Sequence, residues 1–487
     1  MQYPTISSGT WGSAIAAKAS SRRSMVVADM FAARHSSEVD DLSADILGLC
    51  ADIVRKGLRY GADEVEVFAV TQKSLETGLE NNDLKLVKTN HGSSVGIRVL
   101  RNKSLGFACA NTLDPERLER ALRNAISISR NSPRDENNGL PGPKSSPRVR
   151  GIYDDAIEVL DENAILEKAS RMLASARQVD QRVVIESARF EALVGEKALA
   201  NSSGVECQEK FTALYYDVMA HAVEGPVVSA ADYRVNGHRS LEDDSSEATV
   251  AELASSLVHA LNPKKLESFT GTLILSPIAA MELLISPVLF SVDSNNVQKS
   301  VSKFKGRIGD RIASPLIDIS DDGTLPKGLS SSSFDREGVP HMKYEIVKGG
   351  ILLGYLYNQY TANKDLREST GHASGGPRSV PSIDATNISV KEGNQSLQEL
   401  ISSVNRGLMV QRFSGRVDPV SGDMSGIAKM SREIVDGVIG EVVRETMISG
   451  NVYDMIIRVD GLSSEKERIL DFELPYFKIE DIRITGG

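Results

Sequence analysis

Apolar and polar residues follow two different periods along this chain, and each period predicts a different kind of element. Between residues 41 and 60, apolar residues recur every three or four positions and Gly61 follows, which predicts an amphipathic helix. Residues 63–70 alternate instead, and residues 93–110 form two apolar runs around Arg101-Asn102-Lys103. Because alternation places every second side chain on one face of a strand, these segments predict antiparallel sheet.

Helices and strands continue to alternate through the next part of the chain. Asp114-Pro115 provides a capping side chain followed by proline at the first helical position, and predicts a helix as far as about Arg130. Residues 131–150 contain four prolines and little apolar material, so they are expected to form an exposed connection. A third helix is predicted over 161–180, followed by several short strands between 183 and 235.

The pattern changes after a helix predicted over 250–261. Residues 271–277 predict an apolar strand ended by proline, and residues 278–290 predict a mostly apolar helix interrupted by Ser286-Pro287. Short, glycine-bounded segments with partial alternation then run to the C-terminus, which is typical of a β-sandwich or barrel. The predicted fold class is α+β, with an N-terminal antiparallel sheet with helices and a C-terminal β-rich, sandwich- or barrel-like domain.

These changes predict three parts: a flexible N-terminal extension over 1–40, an N-terminal α+β domain over 41–262 and a C-terminal β-rich domain over 263–487. The domain boundary is placed near Asn262-Pro263, just beyond the predicted helix. The first 40 residues are rich in serine and alanine and lack the continuous apolar core of a secretory signal. They are interpreted as a loose extension, with an organelle transit peptide as the alternative.

Composition and charge narrow the possible partners. Hydrophobic residues make up 41% and charged residues 25%, as in ordinary globular proteins. The 56 Lys and Arg are outnumbered by 66 Asp and Glu, and no basic run could follow a phosphate backbone, so direct nucleic-acid contact is not expected. No apolar stretch approaches the roughly 20 residues that a membrane span needs. Three cysteines cannot form a disulfide framework, which favours a reducing cytoplasm.

The histidines and cysteines argue against a metal site in this chain. A helical zinc peptidase needs two histidines one turn apart with a glutamate between them, and no two of the seven histidines lie within five residues of each other. In the predicted helix 278–290, Glu282 is the only carboxylate, and no cysteine follows Cys207. The sequence therefore predicts no zinc ligand and no thiolate nucleophile in the second half.

The segment FDREGVP, residues 334–340, allows two interpretations. Asp335 and Glu337 are two positions apart, so an extended backbone would place both carboxylates on one face, about 7 Å apart, as an acid–base pair. Gly338 and Pro340 instead favour a turn, since Asp, Gly and Pro are chosen in turns for their backbone preferences. The turn is the preferred interpretation.

Tyrosines and a histidine nearby are further candidates. Residues 344–362 predict strands, in which Tyr355, Tyr357 and Tyr360 could form a peptide-binding face, although the spacing of Tyr355 and Tyr357 equally fits a strand packed in a core. Core packing is the preferred interpretation for them. His372 lies in the glycine-rich stretch STGHASGGPRS, which favours a mobile surface histidine, with a place in a cleft as the alternative.

Longer segments resemble a known family. Residues 322–362, from DGTLPKG through FDREGVP to YTA, resemble the signature region of the TldD/PmbA proteins. Residues 81–100 are similar to the N-terminal strands of that family, and SSGVEC (202–207) and MISGNVYDMI (447–456) support the match. The resemblance covers roughly residues 41–487.

The family has two branches, and this sequence is similar to one of them. TldD-like subunits carry a His-Glu-x-x-x-His zinc helix and a downstream cysteine ligand, whereas PmbA-like subunits, also called TldE, carry neither. Because 278–290 lacks both histidines, the resemblance is to the PmbA-like branch. It implies a cytoplasmic heterodimer that cleaves unfolded or flexible peptides, in which a TldD-like partner holds the zinc. No catalytic residue, metal ligand or cofactor is expected in this chain.

The resemblance also gives the candidate residues a context. We expect five side chains to contribute to a substrate chamber or a subunit interface: Asp335, Glu337, Tyr357, Tyr360 and His372. The family name "modulator of DNA gyrase" suggests an indirect link to DNA topology. The excess of acidic residues in this chain gives no support for direct contact with DNA.

Two other functions remain open from the sequence. The chain could be a homodimeric peptide-binding protein without protease activity, working with a second copy of itself. It could also be a self-sufficient hydrolase that uses Asp335, Glu337 or His372. The first alternative predicts binding without cleavage, and the second predicts cleavage by the purified chain.

Overall fold

The computed structural model describes residues 45–85 and 87–487, and the predicted extension over 1–40 lies outside them. The first half is built on strands β1 (Glu64–Glu80), β2 (Asp83–Leu84), β3 (Lys88–Arg101), β4 (Ser104–Ala110), β5 (Val183–Asn201), β6 (Glu206–Glu224), β7 (Val227–Val228) and β8 (Asp232–His238). In the described part of the chain they form an antiparallel sheet in the order β4-β3-β1-β5-β6-β7, with β2 beside β1 and β8 beside β6.

The hairpin between β3 and β4 confirms the predicted turn. Asn102 and Lys103 both adopt positive φ angles, 48° and 62°, as a two-residue hairpin turn requires. The preceding strand is longer than the predicted one, since β3 already begins at Lys88. Its first residues are polar and exposed, although their backbone pairs with β1. Because they have no alternating apolar pattern, the sequence did not predict this part of the strand.

Helices cover one face of this sheet: α1 (Ile46–Arg59), α2 (Pro115–Asn131), α3 (Asp155–Glu158), α4 (Glu162–Val179) and α5 (Ser246–His259). The predicted start of α2 is confirmed, because the Asp114 side chain accepts a hydrogen bond from Arg117 N at 2.8 Å and Pro115 occupies the first helical position. One apolar core lies between the sheet and α1 and α2, and a second lies below α4 and α5. The opposite face of the sheet is therefore left to meet the second half.

The second half contains fifteen further strands among the described residues: β9 (Phe269–Leu275), β10 (Ile319–Asp322), β11 (Lys343–Lys348), β12 (Ile351–Leu352), β13 (Ala373–Ser374), β14 (Ser382–Ile383), β15 (Ile388–Val390), β16 (Arg406–Val410), β17 (Arg412–Val417), β18 (Asp423–Lys429), β19 (Arg432–Val435), β20 (Val438–Val442), β21 (Thr446–Asn451), β22 (Val459–Ile469) and β23 (Phe472–Thr485). All except β13 and β14 join one mixed sheet, in which β9 runs parallel to β16 and β15 runs parallel to β23.

In the part of the chain that the structure describes, five helices accompany this sheet: α6 (Pro277–Ala280, Met281–Ile285 and Ser286–Val292), α7 (Ser294–Gln298), α8 (Gln359–Lys364), α9 (Leu397–Ser402) and α10 (Val452–Ile457). The α+β fold class is confirmed. Among the described residues, none of the helices combines the length and apolar character that crossing a bilayer requires. The domain boundary near Asn262-Pro263 stays a prediction.

The predicted interruption of α6 at Ser286-Pro287 is wrong. The helix continues through it because residues Met281–Ile285 form a π-helical turn, in which Ser286 N bonds to Met281 O. The Ser286 hydroxyl also donates to Met281 O, at 2.8 Å. A proline has no N–H and its ring displaces the carbonyl of the preceding turn, and the wider π turn accommodates both effects without ending the helix.

The connection over 131–150 is more than an exposed loop. Many of its side chains are exposed as predicted, but its backbone and side chains also contact α8 of the second half. Tyr360 Oη donates to Asp135 at 2.8 Å, and Asn363 Nδ2 donates to Asn137 O at 2.9 Å. The segment therefore helps to join the two halves of the chain.

Candidate functional site

The segment FDREGVP forms a tight turn, which confirms the turn interpretation. Phe334 and Pro340 lie on either side of the turn and pair as an antiparallel bridge. Between them, Asp335 N donates to Val339 O at 2.8 Å. Gly338 has a φ of +80°, a left-handed conformation that glycine adopts without strain. The turn presses against the open face of the first sheet, where a Cβ on Gly338 would lie 2.5 Å from the Val205 side chain.

The charges of this turn join the two halves of the chain. Arg98 of β3 donates to Glu337 at 2.7 Å and to Glu66 of β1 at 2.6 Å. The other oxygen of Glu66 accepts from Arg336 Nη1 at 3.0 Å. All four side chains are at most 8% exposed. Glu337 also accepts from Gln359 N at the start of α8, at 2.7 Å, so both of its oxygens are used within the fold.

Asp335 is bound by backbone donors rather than paired with Glu337. Its Oδ1 accepts from Glu337 N and Val339 N, and its Oδ2 accepts from Ala373 N at 3.0 Å. Burial, with the neighbouring Glu337 carboxylate, raises the pKa of Asp335 above its ordinary value, against these three donors. The two acids therefore do not form the acid–base pair that their spacing allowed, because the turn directs them to different partners.

His372 is buried, so the prediction of a mobile surface histidine is wrong. Its Nδ1 lies 2.8 Å from Thr370 Oγ1 and its Nε2 lies 3.2 Å from Asp321 Oδ2. Burial alone would raise the pKa of Asp321, but the hydrogen bond and charge of His372 hold it below its ordinary value. The glycine-rich loop suggested exposure, whereas its backbone packs against β3, where the Pro377 carbonyl would lie 2.2 Å from a Cβ on Gly96.

The three tyrosines do not share a strand face. Tyr355 and Tyr357 are buried, as the core interpretation predicts, but they follow β12 in an irregular segment. Tyr357 Oη donates to Asp365 at 3.0 Å, and burial raises the tyrosine pKa. Tyr360 lies in α8, which begins where Asn358 caps the helix by accepting from Thr361 N. The strand predicted through these residues is therefore wrong beyond Leu352.

A cavity of about 220 Å³ lies between the open face of the first sheet and the turn of the second half. Asp335 and His372 line this cavity, whereas Tyr360 lines a separate one. The sheet contributes Lys197, Glu209 and an apolar floor. His341 also lies in the wall, and burial lowers its pKa to about 3, which keeps it neutral.

A second cavity, of about 340 Å³, lies beside α6. Asp384 and Asp471 line both cavities, so the two are neighbours with a shared wall. Glu282 faces the second cavity, where its oxygens accept from Phe413 N at 3.1 Å and from Tyr233 Oη at 3.4 Å. Burial raises the pKa of Glu282 to about 8, so the carboxyl is mostly protonated at neutral pH. The sequence pattern of the helix did not identify Glu282 as a cavity residue, because only the fold shows that its side chain faces this cavity.

The residues around α6 do not fit a zinc ion. In residues 45–85 and 87–487, no three His, Cys, Asp or Glu side chains lie where they could hold a metal ion together. Glu282 stands alone on α6, and its two oxygens already accept hydrogen bonds from the protein. A zinc centre needs three protein ligands, so no chemical step in this chain is assigned to zinc.

Comparison with protein families covers most of the chain in three consecutive parts. The family models described as PmbA/TldA metallopeptidase domain 1, central domain and C-terminal domain match residues 65–129, 155–261 and 269–486. The chain belongs to the PmbA/TldD family. The signature region, with the FDREGVP turn at its centre, lies within the C-terminal match.

Relatives of this PmbA/TldD protein match most of its length. An uncharacterised protein of Methanocaldococcus jannaschii is 28% identical over 83% of this chain and 92% of its own. The metalloprotease PmbA of Escherichia coli O157:H7 is 25% identical over 87% of this chain and 93% of its own. TldE from Thermococcus kodakarensis has the same fold, with a TM-score of 0.82, 24% identity and coverage of 90% of this chain and 100% of its own.

Proposed function

We propose that this chain is the PmbA/TldE-like, non-catalytic subunit of a TldD/TldE-type zinc metallopeptidase that cleaves unfolded or flexible peptides in the cytoplasm. The TldD-like partner holds the zinc in a heterodimer, and the zinc supplies an activated water for peptide hydrolysis. This chain completes the substrate chamber without a cofactor of its own and without contacting nucleic acid.

The observation that carries this proposal is the chemistry of α6. The helix stands at a cavity wall and offers one carboxylate, Glu282, which is buried and accepts hydrogen bonds from Phe413 N and Tyr233 Oη. A peptidase needs a nucleophile or an activated water, and the one carboxyl that α6 offers, protonated at neutral pH, supplies neither. The family membership, together with relatives named metalloprotease, supports assigning the chemistry to a different subunit.

The remaining alternatives have unequal support. A self-sufficient hydrolase using Asp335, Glu337 or His372 is not favoured, because these side chains are engaged by the fold. A homodimeric peptide-binding protein without protease activity remains the second candidate. It is favoured by one observation, which is that this single chain encloses two neighbouring cavities whose surface is mainly apolar.

The test compares three samples on one unstructured, acetylated peptide with an amidated C-terminus. The samples are the purified chain, a purified TldD-like subunit, and their equimolar mixture, each with zinc quantified and with complex formation measured by light scattering. We expect cleavage and heterodimer only in the mixture, with the zinc retained by the partner. A partner stripped of zinc is the matched control and should leave the mixture inactive.

Two other outcomes would change the assignment. Zinc-dependent cleavage by this chain alone would overturn the non-catalytic role. Peptide binding by a homodimer, with no complex and no cleavage after mixing, would replace the proposal with the peptide-binding alternative.

A further inference from the structure

A buried guanidinium with unused donors lies in the wall of the first cavity. Arg336 has a side-chain exposure of 2%, and its Nη1 donates to Glu66. Its Nε and Nη2 find no hydrogen-bond acceptor among the described residues. Buried donors are almost always paired in folded proteins, because an unpaired donor loses its water without gaining a partner, so this edge of the guanidinium calls for an explanation.

The unused edge has the geometry of a carboxylate receptor. The Nε–H and Nη2–H bonds of a guanidinium are parallel, and together they match the two oxygens of one carboxylate. The Arg336 guanidinium lies 4.2 Å from the centre of the Phe68 ring, which fixes its plane, and both residues line the cavity. An arginine held by Glu66 on one side and by Phe68 on its face is preorganised to receive an acceptor on the other side.

A second cation in the same wall lacks a carboxylate among its hydrogen-bond partners. Arg239 donates to the backbone carbonyls of Thr212 at 2.8 Å and, more weakly, of Gly328 and Ser331. Burial lowers the pKa of Arg239, which shows that its charge is poorly solvated. A ligand carrying a negative charge would compensate it.

Glu66 balances the charge of Arg336 but leaves its Nε and Nη2 donors without acceptors, and two acids that line the cavity are engaged by other groups. Glu209 is paired with Lys197 at 3.4 Å and accepts from Ser333 N at 2.8 Å. Both oxygens of Asp335 are bound by backbone N–H groups, as described above. The other two carboxylates in the wall lie where the first cavity meets the second: Asp384 and Asp471.

We propose that the first cavity binds a carboxylate of the peptide substrate, with Arg336 as bidentate donor and Arg239 as the second cation. The carboxylate belongs either to the peptide C-terminus or to an Asp or Glu side chain. This inference rests on the proposed peptide-handling function, and it adds a preference for negatively charged peptide groups. The apolar floor, which includes Val70 and Leu193, would contact the neighbouring side chain.

Calorimetric titration of the purified full-length chain tests the inference with three acetylated peptides of one sequence. The first has a free C-terminal carboxylate and no acidic side chain, the second has an amidated C-terminus and no acidic side chain, and the third is amidated with one internal glutamate. We expect the first or the third to bind at least about tenfold more tightly than the second, since a charge-assisted bidentate contact is lost in the second. If the first peptide binds more tightly, the carboxylate is that of the C-terminus, and if the third binds more tightly, it is that of an acidic side chain.

Variants connect the preference to the cavity. Arg336→Lys keeps a charge for Glu66 but removes the paired donors, and Arg239→Gln removes the second cation, so both should reduce the preference to less than about threefold. Arg189→Gln is the matched control, because Arg189 is a half-buried arginine of the same strand as Lys197 and lines neither cavity. Circular dichroism confirms that each variant is folded, and the peptide comparison within the wild-type chain needs no variant.

Equal affinity for the three peptides, or binding of none of them, would overturn this inference and indicate that water alone fills the cavity. The proposed subunit function would be unaffected by that result, because its test uses cleavage of the amidated peptide by the two-subunit mixture. Failure of cleavage in the mixture, with the carboxylate preference intact, would instead overturn the subunit role alone.

Discussion

Glu282 shows at the scale of one residue how burial changes the chemistry of a common side chain. Its carboxyl is buried beside the second cavity, and the resulting desolvation, which outweighs the charge of Arg412, raises its pKa from 4.5 to about 8. The folded state therefore holds a proton there that the unfolded chain releases at neutral pH. Protonated Glu282 stabilises the fold at low pH, and this contribution is lost as the pH rises from about 4.5 through about 8.

The substitution Glu282→Gln should remove this pH dependence, because an amide has the same shape and does not ionise. We expect the difference in free energy of unfolding between wild type and variant to shift by at least about 2 kcal/mol in favour of the variant between pH 5 and pH 9. Urea titrations at both pH values measure it. Glu345→Gln, at an exposed carboxylate, is the control and should leave the pH dependence unchanged. Parallel curves for wild type and Glu282→Gln would contradict the prediction.

Single residues were predictable where local backbone chemistry decides their conformation. Gly338 and its neighbours specify a turn through their own backbone preferences, so FDREGVP could be read from seven letters. The burial of His372 could not be predicted in this way. A glycine-rich stretch has the same sequence pattern whether it lies in solvent or packs on a strand about 280 residues away. Its burial depends on Gly96, whose missing side chain lets the loop approach.

At the scale of elements, the contact between α2 and β4 depends on one glycine. A Cβ on Gly106 would lie 1.9 Å from the Ala125 carbonyl oxygen and 2.7 Å from Ser129 N, both of which belong to the helix backbone. Backbone atoms cannot rotate aside as a side chain can, so a larger residue at 106 would push α2 off the sheet.

Gly106→Ala should therefore lower the free energy of unfolding by about 3 kcal/mol or more. Urea unfolding followed by circular dichroism provides the measurement. Gly142→Ala is the matched control, since a Cβ there meets nothing within 4 Å, and its effect should stay within about 0.5 kcal/mol. Equal effects of the two substitutions would show that the helix adjusts its position at little cost.

Element boundaries followed the sequence where caps and turn residues mark them. Asp114-Pro115 located the start of α2, and the hairpin at Asn102-Lys103 was found from turn chemistry. The π turn in α6 was not predicted. The sequence shows a proline within an apolar run, but it does not show the change in the hydrogen-bond pattern that accommodates this proline. Tyr360 was assigned to a strand for a related reason, since α8 is only six residues long and its apolar periodicity is too short to detect.

At the scale of the whole molecule, the buried charges of Arg98 and Glu337 connect the two halves. Removing one partner of such a pair leaves the other buried without compensation, which costs about 3–5 kcal/mol. Removing both should cost less than the sum, so a double-mutant cycle of Arg98→Gln and Glu337→Gln should give a coupling energy of at least about 1.5 kcal/mol. Urea unfolding of the four proteins measures it.

The same cycle on an exposed pair provides the contrast. Lys348 and Glu345 lie three residues apart on the surface and should show no measurable coupling. An absence of coupling between Arg98 and Glu337 would mean that this buried ion pair does not stabilise the connection between the two halves. The cavities also belong to this scale: their walls combine strands of the first half with loops of the second, so no local pattern could have located them.

The separation of Arg98 from Glu337 has a consequence for biosynthesis. The two residues are 239 positions apart, and a ribosome that adds about 5–20 residues per second needs roughly 10–50 s to pass from one to the other. During that interval the first sheet can fold, but the turn that covers Phe68 and brings Glu337 to Arg98 does not yet exist. A newly made chain therefore exposes a charged and apolar sheet face, and chaperone protection at this stage should determine how much of the protein reaches its native state.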